Sequence, residues 1–244
     1  MNNLNKIPIH DSSLRHSTGQ AIYIDDMPEQ ENLLHGAPVL SKVACGKIKK
    51  INSDKLKDLP FFTKIITAKD IPGENEIGPI KNGEPILADD FFSYLGQPVA
   101  IVLAKTHQEA IYASSLVEIE LEFTTEPILN LDDAYEQKSF LEDPMILEKG
   151  NIKKDMSKSN YRLSGNFEIG GQDHFYLETH VAMTFPGEND EYVVWSSTQH
   201  PTEVQHGVGK VLNIPSAKID SKVRRLGGGF GGKESQATIF AAMS

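Results

Sequence analysis

One glycine-rich stretch near the C-terminal end constrains the fold of this chain more than any other feature. Five of the six residues from Gly227 to Gly232 are glycine, Phe230 is the exception, and Lys233 and Glu234 follow directly. Glycine loses more backbone freedom on folding than any other residue, so a cluster of glycines is costly unless the structure requires it. Backbone N–H groups that approach an anionic ligand closely are one such requirement. The stretch therefore predicts a ligand-binding loop, with a tight turn that binds nothing as the alternative.

Two nucleotide-binding patterns fit parts of this loop. Gly227, Gly229 and Gly232 have the spacing of the dinucleotide fingerprint, between a predicted strand and a predicted helix. The loop also nearly fits a Walker A motif that ends in Gly232-Lys233. Glu234 stands where that motif has serine or threonine, and its carboxylate would repel a triphosphate. A nucleotide-binding domain is therefore an alternative that the sequence disfavours.

Two further polar stretches could carry chemistry. They are Ile169 to His180, in which paired glycines precede Gln172, and Ser197 to Pro201. His174 and His180 could lie on one face of a strand, but zinc binding is disfavoured because no third ligand has suitable spacing. Ser197 to Pro201 most simply caps a helix that has proline in its first turn. The chain has no Gly-x-Ser-x-Gly elbow, so we expect no catalytic triad.

Charge and composition exclude several classes of partner. The formal net charge is −10 and the isoelectric point is about 5.3, which disfavours binding to duplex nucleic acid and to anionic membranes. No apolar run reaches the roughly 18 residues that a spanning helix needs, and the N-terminus lacks the apolar core of a signal peptide. Cys45 is the only cysteine, so this chain cannot hold an iron–sulfur cluster. A cytoplasmic location is expected.

The apolar patterns predict a mixture of strands and helices, and hence an α+β protein. The predicted strands cover residues 33–41, 61–67, 98–104, 117–123, 161–169, 181–185, 192–196 and 218–226. The predicted helices cover residues 47–59, 201–212 and 235–243, and one that begins after Thr106, where Glu109 completes a capping box.

Taken in order, the polar motifs resemble the molybdenum-binding subunit of the molybdenum hydroxylases, the family of xanthine dehydrogenases and aldehyde oxidases. The motifs are Gly170 to Glu178, Ser197 to Pro201 and Gly227 to Glu234. Thr18 to Asp26 and Gly96 to Val99 resemble the α/β hammerhead domain that opens such subunits. The resemblance covers nearly the whole chain, from about residue 9 onward.

The resemblance implies an α/β hammerhead domain followed by the start of a molybdopterin-binding domain. The implied boundaries are a lead-in at 1–15, the hammerhead at 16–124, a linker at 125–155 and the first part of the molybdopterin-binding domain at 156–244.

The resemblance also implies roles for five residues. Gln172 would hydrogen-bond an oxo group of the molybdenum, and Gly229, Phe230 and Gly231 would bring backbone amides to the cofactor. Gln172 and Phe230 would thus lie beside the metal without binding it, since the pyranopterin supplies the sulfur ligands. Glu234 would bind and orient a purine. The general-base glutamate is expected in a later part of the subunit, so no catalytic residue is expected in this chain.

The implied reaction oxidises hypoxanthine and xanthine to urate with oxygen taken from water. The electrons would pass to 2Fe-2S and FAD centres on a partner chain, which implies a hetero-oligomer. Because the family's subunit continues for several hundred residues, we expect the 244-residue chain alone to be inactive. The alternative from another class is a non-catalytic module that docks partner subunits.

Overall fold

The computed structural model describes residues 9–78 and 83–244, so residues 1–8 of the predicted lead-in lie outside the described part. The strands are β1 (His35–Leu40), β2 (Gly46–Asn52), β3 (Phe62–Thr67), β4 (Phe91–Phe92), β5 (Pro98–Ala104), β6 (Glu118–Thr124), β7 (Ala182–Pro186), β8 (Tyr192–Ser196) and β9 (Ile219–Lys222). The helices are α1 (Ser13–Ser17), α2 (His107–Leu116), α3 (Leu131–Glu136), α4 (Ile152–Lys158), α5 (Pro201–Leu212) and α6 (Ala237–Met243). This mixture of helices and largely antiparallel strands confirms the predicted α+β class.

The chain forms two compact units. One contains Met1–Thr125 together with His174–Ser244, and the other contains Glu126–Asp173. The described residues of the first unit form three small sheets, with strand orders β1-β5-β3, β4-β2-β6 and β7-β8-β9.

The first sheet is antiparallel and packs against α2. Its central strand β5 is almost wholly buried, as expected for a continuous apolar run. The side chain of Thr106 accepts a hydrogen bond from the Glu109 backbone N–H at 3.3 Å, which confirms the predicted N-cap of α2. The core between sheet and helix consists of Val39, Leu56, Ala100, Val102, Ala113 and Val117.

The second sheet corrects the helix predicted over residues 47–59. This segment forms β2 and a short 3-10 turn at Asp54–Leu56. The apolar spacing that suggested a helix fits a strand because its pairing with β6 contains register shifts at Ile48. Lys47 pairs with Glu122 on β6 at 2.8 Å, so cross-strand charge pairs support the strand.

The third sheet contains a β–α–β unit. β8 and β9 are parallel and are connected through α5, whereas β7 pairs with β8 in the antiparallel sense. His200 caps α5 through its Nδ1 atom, Pro201 lies in the first turn, and Asn213 ends the helix in the left-handed conformation. These ends confirm the predicted bounds of α5.

Helix α6 joins two parts of the core of the first unit. Ala237 and Ala241 pack with Val194, Val204 and Val208 of the third sheet and α5. Ile239 contacts a second cluster with Ile77, Ile86, Leu87, Ile101 and Val211. The helix that follows the glycine-rich loop is therefore fixed on both sides.

The second unit contains α3 and α4 and has no buried residue among positions 126–173. The strand predicted over residues 161–169 is wrong, because this segment has no helix or strand. An isolated strand has no ladder partner for its N–H and C=O groups, so alternation alone does not produce one. Across residues 9–78 and 83–244, no helix has the length and apolar character required to cross a membrane.

Candidate functional site

The glycine-rich loop connects the end of β9 to α6 with a strained backbone. Gly228, Phe230 and Gly231 have φ angles of 94°, 52° and 95°, in the left-handed region. Glycine adopts such angles readily, but phenylalanine does so rarely and at an energetic cost. Contacts elsewhere must therefore hold the loop in this shape.

Glu178 holds the two ends of the loop together. Its Oε2 atom accepts hydrogen bonds from the Gly227 N–H at 2.7 Å and from the Lys233 Nζ at 3.0 Å. The backbone N–H of Glu178 also donates to the Gly227 carbonyl at 3.1 Å. One side chain from the segment before β7 thus closes the loop.

Gln199 forms a second clamp on the loop. Its side-chain oxygen accepts hydrogen bonds from the Gly231 N–H at 2.9 Å and the Lys233 N–H at 3.3 Å. The Gln199 backbone N–H donates to the Lys233 carbonyl at 2.8 Å. A Cβ atom on Gly229 would lie 2.4 Å from this side-chain oxygen, so the clamp leaves room only for glycine.

The two clamps leave the middle of the loop free to bind a ligand. Within the part of the chain that the structure describes, the backbone N–H groups of Gly228, Gly229 and Phe230 have no hydrogen-bond acceptor. Three successive unpaired amides are suited to bind oxygen or another acceptor of a ligand. The Phe230 side chain is exposed beside them.

Lys233 points away from any ligand of this loop. Its side chain is fully buried, its Nζ is paired with Glu178, and that Nζ lies 4.8 Å from the centre of the Tyr176 ring. A Walker A lysine must reach the phosphates of the nucleotide, which a buried and neutralised ammonium cannot do. The helix also begins only at Ala237, so the glycines do not open it as in a dinucleotide site. Both nucleotide patterns are therefore misleading here.

Aromatic side chains pack beside the clamp that Glu178 forms with Lys233. Tyr176 Oη and His180 Nε2 lie 2.7 Å apart, and the His180 ring stacks on Phe240 of α6 at 4.5 Å. Burial, together with the nearby Lys233 ammonium, lowers the pKa of His180 to about 4. The imidazole is therefore neutral at pH 7, and it adds no positive charge next to Lys233.

The depressed pKa of His180 predicts a specific loss of stability in acid. The unfolded chain binds a proton near the ordinary pKa of 6.5, whereas the folded chain does so only near 4. Stability should therefore fall as pH is lowered through that window. We expect the Tm to drop more between pH 7 and pH 4.5 in the wild type than in His180→Gln, measured by thermal unfolding. An equal drop in both proteins would contradict this assignment.

Glu234 differs from Lys233 in its surroundings. It is exposed, and among the described residues its carboxylate has neither a hydrogen bond nor an ion pair. Since Glu178 already neutralises Lys233, the negative charge of Glu234 is available to a ligand at the loop. The predicted substrate residue thus follows the predicted cofactor residues Gly229, Phe230 and Gly231 within five positions of the chain.

The other predicted site residue, Gln172, belongs to the second unit. It is exposed and lies in a segment without helix or strand, so its role beside molybdenum stays a prediction. His174 is exposed whereas His180 is half-buried. The described residues contain no group of three or more His, Cys, Asp or Glu side chains that could hold a metal ion.

The clamping roles of Glu178, Gln199 and Lys233 are not among the roles that the sequence predicts. Lys233 and Glu178 are opposite charges in the two glycine-containing motifs, which was a signal that they pair. Gln199 gave a weaker signal, because its motif also caps α5 through His200. The capping role is confirmed, but it is only part of what this motif does.

Two family models match the chain. The aldehyde oxidase and xanthine dehydrogenase a/b hammerhead domain matches residues 18–125, and the molybdopterin cofactor-binding domain matches residues 136–244. Together these matches cover most of the chain and all of the glycine-rich loop.

Individual relatives agree with both matches. The chain is 39% identical to a xanthine dehydrogenase of Calliphora vicina over 235 residues, and 37% identical to aldehyde oxidase 2 of Macaca fascicularis over 237 residues. These alignments cover 96% and 97% of the chain but 17% of each relative, so the chain spans about a sixth of their length. The fold is similar to that of quinoline 2-oxidoreductase from Pseudomonas putida 86, with a TM-score of 0.82 and 22% identity over 97% of this chain and 32% of that one. The chain therefore belongs to the aldehyde oxidase and xanthine dehydrogenase family of molybdenum hydroxylases, with a hammerhead domain followed by a molybdopterin-binding domain.

Proposed function

We propose that this chain supplies the hammerhead domain and part of the cofactor cradle of an enzyme that oxidises hypoxanthine and xanthine to urate. The observation that carries the proposal is that one loop holds three successive unpaired amides and, four positions after the last of them, the exposed and unpaired carboxylate of Glu234. Amides suit an electron-rich cofactor, and a carboxylate suits the N–H groups of a purine.

The loop fits a molybdenum–molybdopterin cofactor. The clamps from Glu178 and Gln199 present the amides of Gly229 and Phe230 without a protein acceptor, as a cofactor held by backbone contacts requires. When bound, this cofactor would supply the two-electron oxidation and transfer a water-derived oxygen to the substrate. Gln172, Gly229 and Phe230 would hold it in place without contributing a direct ligand to the metal. The N–H of Gly231, the other predicted cofactor residue, is already bonded to Gln199, so Gly231 would act through the shape of the loop.

Glu234 is the residue on which we base the choice of a purine. Its carboxylate would accept hydrogen bonds from the polar edge of the ring and orient the carbon to be oxidised. Similarity alone does not decide between substrates, since a xanthine dehydrogenase and an aldehyde oxidase match at 39% and 37% identity.

The electrons would leave through 2Fe-2S and FAD centres outside this chain. Cys45 is its only cysteine, whereas such a cluster needs about four thiolates. We therefore propose a partner chain with these centres, and a reducing cytoplasmic location, which suits a chain without disulfides. The alternative of a docking module without catalysis stays a prediction, and a pull-down with cluster- and flavin-bearing chains would test it.

Metal analysis and product analysis test the proposed function together. We expect the full-length protein from molybdenum-replete cells to contain about one molybdenum per chain, as a single cofactor site implies. It should convert xanthine to urate and take up ¹⁸O from labelled water. If the purified protein contains no molybdenum, the proposed cofactor is wrong. If it contains molybdenum and oxidises aldehydes but not xanthine, the proposed purine substrate is wrong.

A further inference from the structure

We propose that Glu178 is a positioning residue, which sets the shape of the glycine-rich loop by joining its first N–H to the buried ammonium of Lys233. This inference rests on the proposed function, because the loop is taken to hold the cofactor. The residue lies outside the set predicted to touch cofactor or substrate, and it acts through the loop backbone.

The geometry makes Glu178 the closing point of the loop. A single oxygen, Oε2, lies 2.7 Å from the Gly227 nitrogen and 3.0 Å from the Lys233 Nζ. The segment between these two residues is thereby closed at both ends by one atom. A Cβ atom on Gly227 would lie 2.3 Å from the Cβ of Glu178, so the two backbones are in close contact.

Burial makes the charge of Glu178 necessary. Lys233 is 0% exposed and the Glu178 side chain is 11% exposed. In the described part of the chain, Glu178 is the carboxylate within ion-pair distance of the Lys233 Nζ. A buried ammonium without a partner is strongly unfavourable. Without Glu178, Lys233 would leave its buried position, and its backbone would carry the end of the loop with it.

The loop has a strained backbone, so it should change conformation when the Glu178 clamp is removed. Phe230 has a φ of 52°, which a non-glycine residue keeps only when its surroundings impose it. The amides of Gly228, Gly229 and Phe230 keep their arrangement because the clamps fix the residues on either side. Loss of the Glu178 clamp should therefore disturb the ligand-binding amides while leaving the sheets intact.

Two variants separate positioning from stability. Glu178→Gln keeps the shape and an acceptor for the Gly227 N–H but removes the counter-charge of the Lys233 ammonium. The double variant Glu178→Gln/Lys233→Met buries no charge, so it should regain thermal stability, yet the link between the two ends of the loop is still missing. Glu188→Gln, which changes an exposed carboxylate in the β7–β8 turn, is the matched control.

The measurements are made on the full-length protein with its partner chains. We expect the molybdenum content of both Glu178 variants to fall roughly tenfold, as when a residue that supports a metal site is removed. Deuterium uptake of peptides covering residues 224–236 should rise in both variants and not in Glu188→Gln. The Tm should be lowered in the single variant and restored in the double variant.

The outcomes distinguish this inference from the proposed function. If the double variant regains both the Tm and the molybdenum content, Glu178 has only a structural role and the inference is wrong. If even the wild type contains no molybdenum, the proposed function fails, and deuterium uptake alone decides the role of Glu178. If the double variant then takes up as much deuterium as the wild type, the positioning role of Glu178 is wrong. The double variant also keeps the test open if Glu178→Gln does not fold.

Discussion

Replacing Glu234 with glutamine is expected to lower kcat/KM for xanthine roughly 10- to 100-fold, because a hydrogen bond to a charged group contributes about 1.5–3 kcal/mol. The carboxylate is exposed and has no partner among the described residues, so a purine need not displace a protein donor to reach it. Glutamine has the same shape but carries no charge and presents one acceptor oxygen in place of two. Steady-state kinetics with xanthine would measure the loss.

An aldehyde substrate provides the internal control for Glu234. An aldehyde has no ring N–H groups that could donate hydrogen bonds to the carboxylate. The kcat/KM for the aldehyde should therefore change less than about twofold in Glu234→Gln. Glu188→Gln, an exposed change in the β7–β8 turn, should leave the kcat/KM of both substrates unaffected. Equal losses for xanthine and for the aldehyde would mean that Glu234 shapes the site in general, and the purine assignment would lose its support.

Elements with local signals could be predicted from the sequence. Helix α2 has Thr106 as its N-cap, and helix α5 has Pro201 in its first turn and Asn213 after its end. Of the predicted capping box of α2, the bond from the Glu109 N–H to Thr106 forms, while the Glu109 side chain accepts from the Thr106 hydroxyl. These signals act between residues that are neighbours in the chain, so they fix the ends of a helix wherever it packs.

Elements that depend on distant partners could not be predicted. Residues 47–59 have helical apolar spacing, but pairing with β6 makes the first half a strand. Residues 161–169 alternate as a strand would, but have no neighbouring strand. The apolar pattern of a sequence indicates which side chains become buried. Whether the segment that carries them is a helix or a strand depends on the strands available to pair with it.

The site shows the same division. The glycine cluster and Glu234 were visible because their residue types are unusual, and the family matches now cover them. The clamps were hidden because Glu178 and Gln199 precede Lys233 by 55 and 34 positions. The near-match to a Walker A motif presents Lys233 as a phosphate ligand, since sequence alone does not show that a lysine beside an exposed loop is buried.

The second large effect is expected from Gly229→Ala. Gly229 is buried, and its φ lies outside the left-handed region, so alanine is excluded by space and not by conformation. The new Cβ would lie 2.4 Å from the side-chain oxygen of Gln199 and 2.7 Å from its Cδ. Gln199 would have to move, which leaves the N–H groups of Gly231 and Lys233 without their acceptor. We expect the free energy of unfolding to fall by about 2–4 kcal/mol, from overpacking and unsatisfied amides.

Denaturant unfolding and molybdenum analysis would test the Gly229 prediction, with Gly165→Ala as control because a Cβ there meets no atom within 4 Å. If Gly229→Ala acts by displacing Gln199, then Gln199→Ala should lower stability and molybdenum content in a similar way. The double variant should be less destabilised than the sum of the two single changes, since the alanine at 199 removes the atoms that the new Cβ would strike. Additive losses would show that the two residues act independently, and that the clamp is not what requires glycine at position 229.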